Sequence, residues 1–282
     1  MTWLQIILLS MVQGAAELLP VSSSAHVIVA EKLMGLDPSS PAMTFMLVML
    51  HTGTMFAVLL YFWSRWRKLN REFYKNVILA TAVTGVIGLA LKKIIESVIL
   101  ERILGHEQGE LESLFQSLPL IGMALLSVGV LITWTGMREG EGKNHSQSGG
   151  TIQTLHSVWI GMVQGLCLPF RGFSRSGSTI STGMLLGVSR PLAEDFSFAL
   201  AVILTPPVVL KELHRLLKFA PSAVYWSELV MPGLIGMFFS FLAGYLALRW
   251  LSSWLESGRW KYFGFYCILA SIGVFGLAWM GF

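Results

Sequence analysis

Six apolar segments, each about long enough to cross a membrane, constrain the fold of this chain more than any other feature. A spanning helix needs about 20 mostly apolar residues. The six predicted spans are Met43–Trp63, Asn76–Leu91, Leu114–Thr135, Phe196–Leu210, Leu229–Leu248 and Tyr262–Phe282. Only 13% of the residues are charged, whereas a soluble domain carries about 25%. The chain is therefore predicted to be an all-α, polytopic membrane protein that forms one integral membrane domain over residues 1–282.

The distribution of basic residues indicates a membrane orientation and no nucleic-acid partner. The net charge is +4, but the basic residues gather in short loops, and such loops usually face the cytoplasm. Residues 64–75 contain five of them and are predicted to be cytoplasmic, whereas residues 92–112, rich in Glu, are predicted to lie outside. The loop with Lys211, Arg215 and Lys218 would then lie outside, against the rule.

Two further apolar regions, Trp3–Leu33 and Ile152–Val188, are interrupted midway by Ser, Pro, Gly and charged residues. We expect each region to form two half-length helices with an irregular break rather than one span. Irregular backbone at membrane depth is tolerated only where it is buried in protein or lines a water-filled cavity. Both regions are therefore predicted to be re-entrant helical hairpins.

The two interrupted regions repeat each other at a distance of about half the chain. The letters of Met11–Gly14 recur as Met162–Gly165, and Leu33-Met-Gly35 is answered by Leu185-Leu-Gly187. The chain is predicted to be a duplication with halves at 1–145 and 150–282, each holding one hairpin and three spans. Three crossings per half is an odd number, so the halves would have opposite orientations, as in the inverted repeats of transporters. The first hairpin would then enter from outside and the second from the cytoplasm.

Two polar side chains lie in the first half of the first hairpin, although an acidic residue at membrane depth costs roughly 2.5–3.5 kcal/mol. Gln13 and Glu17 are four residues apart and would share one face of a helix. One carboxylate and one amide, completed by water, suit a divalent cation such as Mg²⁺. The alternative is a buried glutamate that is hydrogen-bonded to a neighbouring helix.

The break of the first hairpin carries Ser22, Ser23, Ser24 and His26. A serine becomes a nucleophile when a base within hydrogen-bonding distance takes its proton, and His26 is the only histidine nearby in the sequence. The alternative is that Pro20 and the serines cap the helix that follows. Both can hold, because a helix N-terminus with free N–H groups is itself an anion-binding site.

The break of the second hairpin carries another polar cluster, formed by Ser174, Arg175, Ser176, Gly177 and Thr179. A guanidinium offers a rigid fork of donors that matches phosphate oxygens, and a glycine lets the backbone approach a ligand closely. The alternative is an arginine that extends its charge to the membrane surface. Because it lies in the duplicated hairpin, opposite Glu17, the cluster is predicted to bind an anion.

Other polar residues and prolines give weaker signals. His51, in the middle of a span, either approaches the site or is a structural histidine. Gln164 is predicted to serve packing or hydrogen bonding between helices. Glu194 and Asp195 precede an apolar run and are predicted to cap it. Pro206-Pro207 should kink or end its span.

The segments Gln13–His26 and Gly172–Ser181 resemble the two signature motifs of bacterial undecaprenyl-diphosphate phosphatases, and the similarity extends over nearly the whole chain. The resemblance implies an enzyme of the bacterial inner membrane that removes the terminal phosphate of undecaprenyl diphosphate and so regenerates the carrier lipid for cell-wall synthesis. It also implies a requirement for a divalent cation, Mg²⁺ or Ca²⁺, a pocket that opens to the periplasm, and a link to bacitracin resistance.

The resemblance also assigns roles to residues of this chain. The acidic motif of the family falls on Gln13 and Glu17, which would hold the cation. The Ser/His motif and the arginine motif fall on Ser22, Ser23, His26, Ser174, Arg175 and Ser176, and phosphate binding is extended to Ser24, Gly177 and Thr179.

Two positions depart from the family pattern. Arg171 belongs to extra residues between Pro169 and Gly172, and it would be either a second phosphate ligand or an anchor at the membrane face. His51 stands where a neutral glutamine is expected, so it would compete with His26 for the role of base.

The resulting hypothesis is that Ser23 attacks the terminal phosphorus with His26 as its base, or that His26 attacks directly. Arg175 and backbone N–H groups would neutralise the charge that grows in the transition state, and Glu17 would hold the cation. This requires Glu17, Ser23 and His26 to face Arg175. The partners would be the polyprenyl diphosphate and the bilayer, with a homodimer left open. The rival function is a transporter or flippase of a lipid phosphate, because inverted repeats with broken helices are typical of transporters.

Overall fold

The computed structural model describes residues 1–37, 40–95, 117–141, 151–219 and 223–281. In this part of the chain the regular structure is helical, and no strand is present. The described helices are α1 (Trp3–Leu18), α2 (Ser23–Leu33), α3 (Pro41–Trp66), α4 (Arg71–Ile94), α5 (Leu118–Glu141), α6 (Thr154–Cys167), α7 (Arg175–Leu185), α8 (Arg190–Phe219), α9 (Ala223–Glu256) and α10 (Trp260–Trp279). The predicted all-α class is confirmed.

Six of these helices, α3, α4, α5, α8, α9 and α10, are long and apolar enough to cross a membrane. They confirm the six predicted spans, although several run further than the hydropathy indicated. The predicted start of the third span at Leu114 and most of the Glu-rich loop lie outside the described residues. The protein is a multi-pass membrane protein.

The largest difference from the predicted spans concerns α8. It begins at Arg190 and continues through Pro206 and Pro207 to Phe219, so the proline pair does not end the helix. Each proline removes one helical hydrogen bond, and the helix continues past both; a kink at the pair stays a prediction.

The two interrupted regions each fold as a pair of short helices, as expected. The first break separates α1 from α2 at residues 19–22, and the second separates α6 from α7 at residues 168–174. Ser174 caps α7, because its Oγ accepts a hydrogen bond from Gly177 N at 3.2 Å, whereas Ser22 makes no such cap on α2. Insertion of these pairs as re-entrant hairpins stays a prediction.

The ends of α2 and α7 match each other, which supports the predicted duplication. Both helices have eleven residues and are followed by a glycine with positive φ, +65° at Gly35 and +84° at Gly187. In both, a hydrogen bond closes the turn over that glycine, from Leu36 N to Glu31 O and from Val188 N to Gly183 O. This is the usual glycine ending of a helix. The opposite orientation of the halves stays a prediction.

The half-length helices pack across the two halves of the chain. α1 packs against α9, and α6 packs against α4, so each lies on the middle long helix of the other half. The repeated Met-Val-Gln-Gly motif lies at these contacts: a Cβ added to Gly14 would lie 2.4 Å from Ser240 O, and one added to Gly165 would lie 2.7 Å from Ile87 Cβ. The repeated glycines therefore let the helices approach closely.

Glu194 and Asp195 do not cap α8, which corrects the sequence interpretation. The helix starts four residues before Glu194, and both carboxylates are buried. They face Arg65 of α3, whose Nη1 lies 3.1 Å from Glu194 Oε2 and whose Nη2 lies 3.0 Å from Asp195 Oδ2. These ion pairs join the two halves because buried carboxylates require a partner of opposite charge.

Candidate active site

Gln13 and Glu17 lie one turn apart on α1, as their spacing predicts. Gln13 Nε2 donates a hydrogen bond to Glu17 Oε2 at 3.3 Å. Gln13 is buried, and the Glu17 side chain keeps 16% of its surface exposed. The carboxylate therefore lies at the edge of the core, where it is held by the amide and is still accessible to a ligand.

Arg175, the first residue of α7, reaches this carboxylate from the other half of the chain. Its Nη2 lies 3.2 Å from Glu17 Oε1, although 158 positions separate the two residues. The two side chains are only 20% and 16% exposed. The removal of one member of a pair this well buried leaves an uncompensated charge, at a cost of about 3–5 kcal/mol. The predicted contact between Glu17 and Arg175 is therefore present in the structure.

Ser23, the first residue of α2, completes the cluster around Glu17. Its Oγ donates to Glu17 Oε2 at 2.5 Å. Glu17 thus accepts hydrogen bonds from Ser23, Gln13 and Arg175. A carboxylate in this position can take the proton of the serine hydroxyl, which is what makes a serine nucleophilic.

The turn before Ser23 is strained and is tied to the second break. Ser22 has φ +69° and ψ +97°, and it is the only non-glycine residue with positive φ in the described ranges. Such a conformation costs about 1–3 kcal/mol and persists only where the surroundings impose it. The Oγ atoms of Ser22 and Ser24 lie 3.3 Å apart, and Gly172 N donates to Ser24 Oγ at 3.1 Å. The two breaks therefore meet through this hydrogen bond.

The second break contributes fewer residues to the cavity than the sequence suggested. Ser174 and Ser176 line it together with Arg175. Gly177 and Thr179 do not: Gly177 N is used in the cap of α7, and the buried Thr179 Oγ1 is 2.7 Å from Ser197 Oγ of α8. These two residues therefore do not line the cavity, and their role in phosphate binding stays a prediction.

His26 also lies away from the position expected of a base. Its Nδ1 is 2.8 Å from Ser22 O, and its Nε2 is 2.7 Å from the hydroxyl oxygen of Tyr266 on α10. Between His26 and Ser23, both of which are described, no hydrogen bond is present, because both ring nitrogens are directed elsewhere. The structure brings Glu17, Ser23 and Arg175 together but does not bring His26 into contact with Ser23.

Sequence reasoning left the roles of His51 and Arg171 open and did not identify Tyr266. His51 Nδ1 lies 3.1 Å from Gln13 Nε2 and 3.8 Å from Glu17 Oε2. His51 and Arg171 both line the cavity. The signals for these two were present as departures from the family pattern, whereas nothing in the sequence marked Tyr266.

A cavity of about 270 Å³ joins these side chains. One wall is polar and is formed by Glu17, Ser22, Ser23, Ser24, His51, Arg171, Ser174, Arg175 and Ser176. The rest of the lining, the apolar wall, is mainly apolar and includes Leu168, Phe170, Phe173, Leu204, Val208 and Val209. This combination suits a ligand with an anionic head and a hydrocarbon tail.

The residues of the cavity fit a divalent cation only if a bound substrate supplies further oxygen ligands to the cation. Glu17 is the one acidic residue among the described lining residues, and no group of three or more His, Cys, Asp or Glu arranged for metal binding occurs in the described ranges. Mg²⁺ is commonly held by one or two carboxylates together with substrate phosphates and water. Glu17 with phosphate oxygens meets that requirement.

Comparison with known proteins places the chain in a family. A family model described as bacitracin resistance protein BacA matches residues 6–273. A relative from Acinetobacter baylyi, named undecaprenyl-diphosphatase 2, is 52% identical over 292 aligned positions, and the alignment covers 99% of each chain. A protein of the same name from Burkholderia ambifaria is 33% identical over 97% of this chain and 95% of its own. Undecaprenyl-diphosphatase 1 from Burkholderia pseudomallei is 32% identical over 98% and 96%. The chain belongs to the BacA family of bacitracin resistance proteins.

Proposed function

We propose that this protein is an undecaprenyl-diphosphatase, which hydrolyses undecaprenyl diphosphate to undecaprenyl phosphate and inorganic phosphate. The observation that carries the proposal is the meeting of Glu17, Ser23 and Arg175 in one cavity with an apolar wall. The names of the relatives agree with it. The protein would act in the inner membrane, with the cavity open to the periplasm.

The polar wall would bind the diphosphate. Arg171 and Arg175 supply guanidinium groups to a cavity that contains one carboxylate in its described lining. Arginine can form paired hydrogen bonds with phosphate oxygens. We assign Arg171 as the second phosphate ligand of the two roles considered, because it lies in the cavity wall beside Arg175. The hydroxyls of Ser22, Ser24, Ser174 and Ser176 add neutral donors around the same space.

Ser23 would be the nucleophile, with Glu17 as its base. Ser23 Oγ forms a bond to the terminal phosphorus as the bridging P–O bond breaks, and undecaprenyl phosphate leaves. The serine proton goes to Glu17, to which it is already hydrogen-bonded. Once Glu17 is protonated, its ion pair with Arg175 weakens, so that the guanidinium can stabilise the charge on the transferring phosphoryl group. Water then attacks the phosphorus of the phosphoserine, the P–Oγ bond breaks, Glu17 returns its proton to Ser23 Oγ, and inorganic phosphate leaves.

A divalent cation would be held by Glu17 and by oxygens of the diphosphate, and Gln13 would orient the carboxylate. When bound, such a cation neutralises charge on phosphate oxygens. The apolar wall, which includes α8 side chains, would receive the start of the isoprenoid tail. The polyprenyl diphosphate and the bilayer are therefore the proposed partners.

The proposal is tested by phosphate release from undecaprenyl diphosphate by the purified protein in detergent micelles. We expect Glu17→Gln to lower kcat by about 10²–10⁴-fold, the usual contribution of a general base. Glu72→Gln is the matched control, because Glu72 is exposed on α4 and pairs only locally with Lys75; it should leave turnover unchanged.

The same assay separates the proposal from transport. Hydrolysis needs no second compartment, whereas translocation does. A folded wild-type protein that releases no phosphate in micelles would contradict the proposal and favour a transporter. Normal turnover by Glu17→Gln would contradict the role of Glu17 alone.

A further inference from the structure

Two neighbouring residues of α10 form hydrogen bonds to the strained turn before Ser23 and to the start of α2. Cys267 Sγ donates to Pro20 O at 3.4 Å, and the hydroxyl of Tyr266 lies 2.7 Å from His26 Nε2. The rings of Tyr266 and His26 are also stacked, with their centroids 5.6 Å apart. A helix near the end of the chain therefore contacts the turn at its start.

The hydrogen bonds define which nitrogen of the neutral His26 ring carries the proton. Ser22 O is a backbone carbonyl and can only accept, so His26 Nδ1 at 2.8 Å must donate. Nε2 of the neutral ring is then an acceptor, and the Tyr266 hydroxyl donates to it. The chain of donors runs from Tyr266 through His26 to the carbonyl of Ser22.

That carbonyl belongs to the residue whose backbone is strained. Ser22 has φ +69°, outside the region that a non-glycine residue normally adopts, and its carbonyl also accepts from His26 N at 3.4 Å. Ser23 follows directly, and its Oγ reaches Glu17 at 2.5 Å. Relaxation of the Ser22 backbone would therefore rotate Ser23 away from its carboxylate.

We propose that Tyr266 is a positioning residue for the reaction. Its hydroxyl fixes the ring of His26, and His26 in turn holds the Ser22 carbonyl and the turn that presents Ser23 to the phosphorus. In this role His26 acts as a donor through Nδ1, not as the base of Ser23. The inference rests on the proposed phosphatase function, and it adds a residue that lies outside the cavity lining.

Steady-state kinetics of Tyr266→Phe give the first test. We expect kcat to fall about tenfold with KM unchanged, because a displacement of the nucleophile by about 1 Å can cost up to 100-fold in rate and Tyr266 does not line the cavity. Tyr262→Phe is the matched control: Tyr262 lies one turn earlier on α10 and is 48% exposed, against 46% for Tyr266. A wild-type kcat for Tyr266→Phe, or a change confined to KM, would overturn the proposal.

Substitution of His26 tests the relay itself. His26→Asn places an amide N–H where Nδ1 stands, so it should retain measurably more activity than His26→Ala. Tyr266→Phe should then cause no further loss in the His26→Asn background, because the group it holds is absent. If His26→Asn is as inactive as His26→Ala, Nε2 has the essential role and the proposal fails. The comparison of His26→Asn with His26→Ala tests the proposal even if Tyr266→Phe does not yield folded protein.

A spectroscopic measurement keeps the inference separate from the proposed function. In protein labelled with ¹⁵N at histidine, with the His26 signals assigned by their loss in His26→Asn, we expect a protonated Nδ1 and an unprotonated Nε2. Tyr266→Phe should shift the Nε2 resonance. A proton on Nε2 alone would overturn the relay. If wild-type protein shows the expected tautomer but releases no phosphate, the proposed function fails and the hydrogen-bonded relay remains.

Discussion

The two halves of the chain place chemically different side chains at matching positions of one cavity. Glu17 on α1 corresponds, 151 positions later, to Leu168, and His51 on α3 corresponds, 153 positions later, to Leu204. All four residues line the cavity. At these two positions the first half has a carboxylate and an imidazole, whereas the second half has apolar side chains. The polar lining residues of the second half are Arg171, Ser174, Arg175 and Ser176. The predicted duplication would account for the matching positions, and the difference between polar and apolar side chains makes the two sets chemically unlike.

The matched amides show the same divergence in the core. Gln13 is hydrogen-bonded to Glu17 and close to His51. Gln164 is fully buried, and within the described residues neither of its amide atoms has a hydrogen-bond partner. The predicted hydrogen bonding between helices is therefore not seen for Gln164. The second half has the amide without the polar neighbours that satisfy its counterpart in the first half.

The largest effect on the comparison of the two halves is expected from Arg175, the charged residue of the second half that we assign to catalysis. Arg175→Gln should lower kcat by about 10²–10³-fold, comparable to the loss of a key group that stabilises transition-state charge. Arg175→Lys should recover only part of the rate, because an ammonium lacks the planar fork of a guanidinium. The measurement is phosphate release in micelles, with the exposed Arg67 replaced by Gln as the control. Full activity of Arg175→Gln would contradict the catalytic role of Arg175.

A smaller effect is expected when Leu204 of the apolar wall is replaced by histidine, the residue at the matching position 51. Leu204→His should raise KM for undecaprenyl diphosphate about tenfold with little change in kcat, because burying one leucine is worth about 1.5–3 kcal/mol. A short isoprenyl diphosphate should show a smaller change. Leu210→His is the control, since Leu210 is 63% exposed on the same helix and does not line the cavity. Equal loss of kcat with both substrates would instead place Leu204 beside the reacting phosphate.

The smallest effect concerns the amide that lacks a partner. Gln164→Met should raise the free energy of unfolding by about 1 kcal/mol, because a buried polar group without a hydrogen bond costs about 1–3 kcal/mol. Turnover should stay at the wild-type value, whereas Gln13→Met at the matched position should lose activity. Thermal unfolding in detergent and phosphate release provide the two measurements. Destabilisation by Gln164→Met would mean that the amide has a bound partner, such as an internal water.

Much of the fold follows from the sequence because membranes impose simple rules. Apolar length located the six spans, and the polar interruptions located both pairs of short helices. The spacing of Gln13 and Glu17 set their shared face, and the repeat placed Arg175 opposite them. These inferences depend on helix geometry and on the cost of polar groups in lipid, both of which act locally.

The remaining errors come from side chains whose partners lie far away in the chain. His26 was expected to act as the base of Ser23, but its Nε2 lies 2.7 Å from the hydroxyl oxygen of Tyr266, 240 positions later. Glu194 and Asp195 are residue types that often begin a helix, yet both form ion pairs with Arg65 of α3. Local patterns cannot predict such contacts, because several partners of the right chemistry compete and packing selects one.

The proline pair in α8 has a mechanical consequence for the cavity. Leu204, Thr205, Val208 and Val209 line the cavity on either side of Pro206 and Pro207. Proline has no backbone N–H, so the carbonyls of Val202 and Ile203 receive no helical hydrogen bond, and a bend there breaks none. We expect α8 to bend at this proline pair. Such bending would let a long hydrocarbon chain enter the cavity from the lipid, while the polar wall keeps its shape.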